Sequence, residues 1–147
     1  MTTQSIAIDA MGGDVGPRVT IPASLDALKK YPNLRIILVG DQIQIESLLK
    51  KYDEINHPRL SIHKTTEVVL MDESPQSALK NKKNSSMRVA INLVKDGEAK
   101  ACVSAGNTGA LMATARFVLK TLQGIDRPAI ASNLPNRKGA TCMLDLG

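Results

Sequence analysis

The residues best suited to chemistry in this chain lie in a short polar turn at positions 104–109. The turn, Ser-Ala-Gly-Asn-Thr-Gly, follows a short apolar run at 101–103 and precedes a helical pattern. A strand that turns through glycines into a helix directs free backbone N–H groups and the positive end of the helix dipole at the turn. Both favour bound anions, phosphate above all. The sequence therefore predicts an anion site formed by Ser104, Gly106, Asn107, Thr108 and Gly109.

A purely structural role for the same turn stays open at this point. In that interpretation Thr108 caps the following helix and the glycines serve only the backbone. The helix is indicated by Leu111, Ala115, Val118 and Leu122, whose spacing of four, three and four residues places them on one face. A glycine-rich turn alone does not decide between the two interpretations.

Two further polar clusters would meet this turn at the carboxyl ends of the strands in an α/β sheet. One is Asp9 with Gly12 and Gly13, directly after an apolar run at 6–9. The other is a basic segment at residues 80–83, followed by two serines. Its lysines would neutralise an anion, and one serine is expected to cap the next helix. The candidate residues of this second cluster are Lys80, Lys82, Lys83, Ser85 and Ser86.

Several common catalytic patterns are missing from the sequence. It has no dinucleotide fingerprint, no P-loop and no G-x-S-x-G elbow. Cys102 and Cys142 have no partners at a metal-ligand spacing, so we expect them to be buried free thiols in a reducing compartment. The chain thus offers donors and cations without a nucleophile–base pair. That set suits a reaction between an anionic nucleophile such as phosphate and an electrophile such as a thioester.

Apolar runs and helical patterns alternate along the 147 residues. Strands are predicted at 6–9, 34–39, 60–63, 101–103, 128–132 and 140–146, and the run at 101–103 is expected to be buried. The alternation predicts an α/β fold, a doubly wound and mostly parallel αβα sandwich. Residues 65–84 show no periodicity and are expected to be irregular. A buried strand at the end of the chain suggests the N-terminal part, residues 1–147, of a longer α/β domain.

Composition limits the classes of partner. The formal net charge is +5, which favours acidic or phosphate-bearing partners. Only 2% of residues are aromatic, so the stacking surfaces that bind single-stranded nucleic acid are not expected. No apolar run approaches the roughly 20 residues of a membrane span, and no secretion signal is evident. A cytoplasmic location is therefore expected.

Five stretches of the sequence resemble the bacterial phosphate acyltransferases of phospholipid synthesis, the PlsX family. They are residues 8–14, 85–90, 101–110, 126–129 and 144–147. The resemblance implies transfer of a fatty acyl group from acyl carrier protein to inorganic phosphate, without metal or organic cofactor. It also implies a homodimer, peripheral contact with the cytoplasmic membrane, and delivery of acyl phosphate to a membrane glycerol-3-phosphate acyltransferase. The implied fold is similar to isocitrate dehydrogenase-like and phosphotransacetylase-like enzymes.

The matching motifs also suggest roles for the candidate residues. Asn107, Ser104 and Lys82 are the expected catalytic residues, with the N–H groups of residues 106–109 and the Asn107 side chain binding phosphate or the oxyanion. Lys82 and Lys83 would neutralise phosphate or meet the acidic carrier protein. Many family members differ at Asn81 and Asn84, and the family continues well beyond Gly147. Two alternatives are a phosphotransacetylase-like enzyme acting on acyl-CoA and a non-catalytic dimerising or docking fragment. The expected phosphate-binding residues are Asp9, Gly12, Gly13, Lys80, Lys83, Ser85, Ser86, Gly106, Thr108 and Gly109.

Overall fold

A computed structural model describes residues 3–145 of the chain. Its main sheet contains four parallel strands in the order β3-β2-β1-β4. These strands are β1 (Gln4–Asp9), β2 (Leu34–Gly40), β3 (Leu60–Lys64) and β4 (Ala101–Val103). The helices are α1 (Pro17–Lys30), α2 (Gln42–Lys51), α3 (Pro75–Asn81), α4 (Ser86–Lys95) and α5 (Thr108–Leu119). An antiparallel hairpin follows, formed by β5 (Ala131–Asn136) and β6 (Gly139–Leu144).

Helices cover both faces of the sheet. On one face α1 and α2 pack over β1 and β2, and the buried side chains there include Ile21, Leu28, Leu38, Ile45 and Leu49. On the other face α4 packs against the same two strands, and the buried side chains there are Ala7, Val39, Ala90, Leu93 and Ala99. The predicted doubly wound αβα arrangement is confirmed.

Local sequence explains the central elements. β2 is a nearly continuous apolar run, as expected for a parallel strand buried on both faces. α2 begins after Asp41, whose Oδ1 accepts a hydrogen bond from the N–H of Gln44 at 2.8 Å. α4 begins after Ser85, whose hydroxyl accepts from the N–H of Arg88 at 3.3 Å. Each cap satisfies one of the amides that a helix start leaves without an intrahelical partner.

Three structural expectations are wrong. The segment 65–84 is not wholly irregular, because Ser74 caps the short helix α3 within it. Within residues 3–145, β4 is an edge strand that pairs only with β1, and Val103 is 53% exposed. The run at 140–146 forms no buried strand up to Leu144, since β6 is exposed throughout and pairs only with β5. Leu146 lies outside the described residues, and the strand predicted at 128–132 begins at Ala131.

The exposed edge has a neighbouring groove. An apolar groove of about 870 Å³ runs between α1 and the β1–β4 edge, and it is lined in part by Ile6, Ile8, Ala23 and Val103. The groove exists because no described element covers the α1-facing side of β4. Among the helices within residues 3–145, none is both long and apolar enough to cross a bilayer.

The strand order creates a topological switch point. The chain proceeds from β1 through β2 to β3 on one side, and then returns to place β4 on the other side of β1. In open α/β sheets, ligands bind outside the carboxyl ends of the strands at such a point. The segments that leave β1 and β4 here are the loop at residues 10–16 and the turn at residues 104–109. We refer to them as the glycine loop and the switch-point turn.

Truncation of Leu38 tests the position of the core. Leu38, on β2, is fully buried against the α1–α2 layer. Leu38→Ala should therefore lower the free energy of unfolding by about 3 kcal/mol. Ile43→Ala on α2 is the matched control, because Ile43 is 80% exposed and its loss should change stability by less than about 0.5 kcal/mol. Urea denaturation, monitored by circular dichroism, measures the free energy of unfolding of both variants. Equal effects would contradict this placement of the core.

Candidate anion-binding site

The glycine loop and the switch-point turn pack directly against each other. A Cβ at Gly12 would lie 2.6 Å from Asp9 Oδ2 and 3.0 Å from both Ser104 Oγ and the Gly106 amide nitrogen. Real Cβ atoms do not approach other atoms at 2.6 Å, so only glycine fits there without a shift. Gly13 has a φ of +87°, and a Cβ there would lie 3.1 Å from the Ala105 carbonyl oxygen. Both glycines are therefore required for this close approach.

A hydrogen-bonded pair joins the ends of β1 and β4. Ser104 Oγ donates to Asp9 Oδ2 at 2.6 Å and accepts from the N–H of Gly106 at 3.1 Å. Asp9 is only 1% exposed, and its Oδ1 has no hydrogen-bond partner within the described part of the chain. The Asp9 carboxylate thus orients Ser104, and Ser104 in turn fixes the first bend of the turn.

Asn107 connects the turn to a distant loop. It is the N-cap of α5, and its Oδ1 accepts from the N–H of Ala110 at 2.9 Å. Its Nδ2 donates to the carbonyl oxygens of Glu73 at 2.8 Å and Met71 at 2.9 Å, with a longer contact to Leu70 at 3.4 Å. Both ends of the side chain are engaged within the protein. This differs from the direct anion contact expected for Asn107, and it rules out Thr108 as the cap.

Three backbone amides at the start of α5 are open. The Gly106 amide donates to Ser104, so it is not free for a ligand as the sequence suggested. The N–H groups of Asn107, Thr108 and Gly109 have no partner among residues 3–145. Thr108 and Gly109 are exposed, and they begin a helix of 12 residues. Amides at a helix start carry its positive partial charge, which suits an anion.

The start of α4 lies beside the turn. A Cβ at Gly106 would lie 3.0 Å from Met87 Cε, in the first turn of α4. Ser85 caps α4, as one of the two expected residues, and its hydroxyl also donates to the Lys82 carbonyl oxygen at 2.8 Å. Ser86 is 1% exposed, and its Oγ has no partner within the described residues. A buried hydroxyl without a partner is uncommon and is available to a ligand or water.

The lysines of the basic segment lie at the end of α3 and just after it. Lys80 lies in the last turn of α3, Lys82 is the half-buried C-cap of α3, and Lys83 is exposed. No hydrogen bond or ion pair joins these lysines to the switch-point turn in the region that the structure covers. Hydrogen bonds and close packing therefore join Asp9, the two glycines and the turn, with α4 adjacent, and the role of the lysines stays a prediction.

The two cysteines differ from their expected burial. Cys142 is exposed on the hairpin, and Cys102 on β4 is half-buried. Burial raises the pKa of the Cys102 thiol and the nearby Asp9 carboxylate raises it further, whereas a hydrogen bond to the thiol's own backbone lowers it. Over residues 3–145, no group of three His, Cys, Asp or Glu residues is arranged to hold a metal ion.

Sequence inspection missed the loop that Asn107 holds. Carbonyl groups at 71 and 73 accept its Nδ2, and Pro75 packs against the start of α5, where a Cβ at Gly109 would lie 3.0 Å from Pro75 Cγ. Asparagine just before a helix is a recognisable cap signal. The partners of its Nδ2 have no comparable signal, because they are backbone groups 34 and 36 residues away.

The fold and the polar turn at its switch point define the class: a doubly wound α/β protein with the phosphotransacetylase fold. The EutD phosphotransacetylase from Staphylococcus aureus superposes with a TM-score of 0.61, covering 95% of this chain and 45% of that one. The two are 19% identical, so this likeness concerns the fold alone. Residues 4–147 match the family described as fatty acid synthesis protein, and the chain belongs to that family.

Curated relatives agree with this assignment. The phosphate acyltransferase of Chromobacterium violaceum is 64% identical over 145 residues, covering 99% of this chain and 42% of the relative. That of Herminiimonas arsenicoxydans is 62% identical over 146 residues, covering 99% and 41%. That of Legionella pneumophila strain Paris is 59% identical over 147 residues, covering 100% and 43%. The resemblance to phosphate acyltransferases is confirmed, and the chain spans about two fifths of the length of these relatives.

Replacement of Asn107 by aspartate tests its two functions separately. The Asn107→Asp variant keeps an oxygen that can cap α5 but loses the Nδ2 donor, so the loop at 70–73 should loosen. We expect amide hydrogen exchange at Glu73 to become about tenfold faster while the start of α5 stays protected. Asn107→Ala should loosen both. Asn56→Asp is the control, because it makes the same change at an exposed position. An unchanged exchange rate at Glu73 in Asn107→Asp would contradict the role assigned to Nδ2.

Thiol labelling tests the environment of Cys102. In a Cys142→Ser background, Cys102 is the remaining thiol. Because its pKa is raised, less of it is thiolate at any given pH, so it should react with a disulfide reagent more slowly than glutathione does. The pH profile of its labelling rate should also be displaced to higher pH. A profile matching that of glutathione would contradict this environment.

Proposed function

We propose that the protein containing this chain transfers a fatty acyl group from acyl carrier protein to inorganic phosphate, giving acyl phosphate for phospholipid synthesis. The observation that carries the proposal is the set of three amides at the start of α5, at the switch point of the sheet, that have no partner in the described part of the chain. The membership in the fatty acid synthesis protein family supports it. So do relatives named phosphate acyltransferase.

The proposed reaction needs little from the protein beyond positioning. A phosphate oxygen attacks the thioester carbonyl carbon, a C–O bond forms, the C–S bond breaks, and the thiolate leaves and takes a proton from solvent. Phosphate is already anionic at neutral pH, so no general base is required. The amides of Asn107, Thr108 and Gly109 would hold phosphate, or the carbonyl oxygen as it becomes negative. No metal or organic cofactor enters this scheme.

The remaining candidate residues take supporting parts in the proposal. Asp9 and Ser104 act as positioning residues, because their hydrogen bond shapes the turn. Gly12 and Gly13 permit the close packing of the glycine loop, and Ser85 caps α4 next to the turn. The free hydroxyl of Ser86 is a further donor to the anion. Lys80, Lys82 and Lys83 would neutralise phosphate or contact the acidic carrier protein.

The cellular setting belongs to the same proposal. We infer a homodimer in the cytoplasm with peripheral membrane contact, where acyl phosphate passes to a membrane glycerol-3-phosphate acyltransferase. Acyl-CoA is the alternative acyl donor, in a phosphotransacetylase-like reaction. A non-catalytic dimerising or docking role is the third possibility.

Replacing Thr108 by Pro in the complete protein that contains this chain tests the anion site. Proline at the first position of a helix removes one N–H with little effect on the helix, because its φ already fits. Thr108→Pro should raise the KM for phosphate by about tenfold to a hundredfold, the loss of one hydrogen bond to a charged group. Thr108→Ala is the matched control, since it removes the hydroxyl and keeps the amide. Acyl phosphate release is the measurement.

The same assay distinguishes the alternatives. Release from acyl carrier protein substrates supports the proposed function, whereas release from acyl-CoA alone would replace it with the phosphotransacetylase-like activity. No release from either donor would favour the non-catalytic role. Equal KM values for phosphate in the Pro and Ala variants would remove the switch-point turn from the mechanism.

A further inference from the structure

Phe117 is an exposed aromatic residue with two cations close to its ring. It lies on α5 with 53% of its surface exposed. Arg88 Cζ lies 5.2 Å from the centre of its ring, and Lys120 Nζ lies 5.0 Å from it. Both distances are within the range of cation–π attraction, which limits the motion of the ring and of the two side chains. We call these three residues the Phe117 surface.

Positive charge is concentrated in the part of the chain that carries this surface. Residues 75–120 contain eight lysines and arginines but only two carboxylates. The rest of the chain contains eleven lysines and arginines and twelve carboxylates, so it is close to neutral. The two carboxylates, Asp96 and Glu98, follow the carboxyl end of α4, whereas Arg88 is in its first turn. The field around Phe117 therefore attracts acidic partners.

Two of the three residues of the surface are of types enriched at protein–protein contacts. Aromatic residues and arginine are enriched at the centres of protein interfaces, where they carry much of the binding energy. Contact with two cations restricts the ring before a partner binds, which reduces the entropy lost on binding.

We propose that the Phe117 surface docks the acyl carrier protein, with acidic side chains of the carrier against Arg88 and Lys120 and an apolar side chain over the ring. This inference rests on the proposed function for the identity of the acidic partner. Phe117 lies nine residues after Thr108 on the same helix, a distance of about 14 Å along its axis. A carrier bound there would hold its thioester arm near the open amides of the switch-point turn.

Binding of the carrier without an acyl group tests this surface independently of turnover. The complete protein that contains this chain is titrated into fluorescently labelled holo acyl carrier protein, and the fluorescence anisotropy is recorded. Phe117→Ala and Lys120→Glu should each weaken binding by about tenfold, as truncation of an interface anchor does. Raising the salt concentration should weaken the binding of the carrier to the wild-type protein. It should also reduce the difference in Kd between the wild type and Lys120→Glu.

A second aromatic–cation pair provides the matched control. Tyr31, at the end of α1, is 52% exposed, and Lys30 Nζ lies 5.4 Å from its ring centre. Tyr31→Ala and Lys30→Glu change the same kinds of group away from α5 and should alter carrier binding by less than about twofold. Equal weakening by Lys30→Glu and Lys120→Glu would overturn the proposal, because the effect would then be one of net charge.

Two further results would also overturn it. One is carrier binding that is unchanged in Phe117→Ala. The other is Phe117-dependent binding to vesicles of phosphatidylglycerol and phosphatidylcholine with no Phe117-dependent binding to the carrier. The same variants test the proposed function separately. Carrier docking at Phe117 without acyl phosphate formation would contradict the proposed function but support the docking surface. Acyl phosphate formation with an unchanged KM for acyl carrier protein in both variants would refute the surface and keep the function.

Discussion

The hydrogen bond between Asp9 and Ser104 is the contact on which the candidate site depends. The two residues are 95 positions apart in sequence. Ile8 and Val103 form the last residue pair between β1 and β4, and Asp9 and Ser104 are the residues that directly follow them. The bond fixes Ser104, which then holds the Gly106 amide. Gly12 makes room for it, because any side chain there would collide with the Asp9 carboxylate. Strand register, glycine placement and turn shape are thus parts of one arrangement.

Asn107 extends this arrangement to a third segment. Through Nδ2 it holds the loop before α3, and through Oδ1 it caps α5, so one side chain defines both the start of the helix and the position of the loop. The open amides at 107–109 therefore depend on contacts from chain segments near residues 9, 73 and 104. An anion bound there would encounter a site that is already formed, which lowers the cost of binding.

Much of the fold could be predicted from the sequence because its signals are local. The apolar run of β2 and the caps Asp41 and Ser85 are each visible within a few residues. α3 also has a start signal, Ser74 followed by proline, although the absence of apolar periodicity concealed it. The exposure of Val103 could not be predicted, because burial of an apolar residue depends on which elements lie beside it.

The same distinction applies to the candidate site. The polar turn and its glycines could be recognised, since their residue types and spacing specify the local backbone. The use of the Asn107 side chain could not, because its partners are main-chain carbonyls with no sequence signature. The partners of the lysines likewise have no local signal, because a sequence pattern does not specify which cleft an exposed charged side chain faces.

The uncovered β4 edge has a consequence for handling this polypeptide in solution. An edge strand presents unpaired N–H and C=O groups that can template pairing with another chain, and natural proteins normally shield them. Here the edge adjoins an apolar groove, and the β5–β6 ribbon adds two more strand edges. Preparations of residues 1–147 will consequently be sensitive to protein concentration, with self-association and precipitation setting the practical limit on solubility.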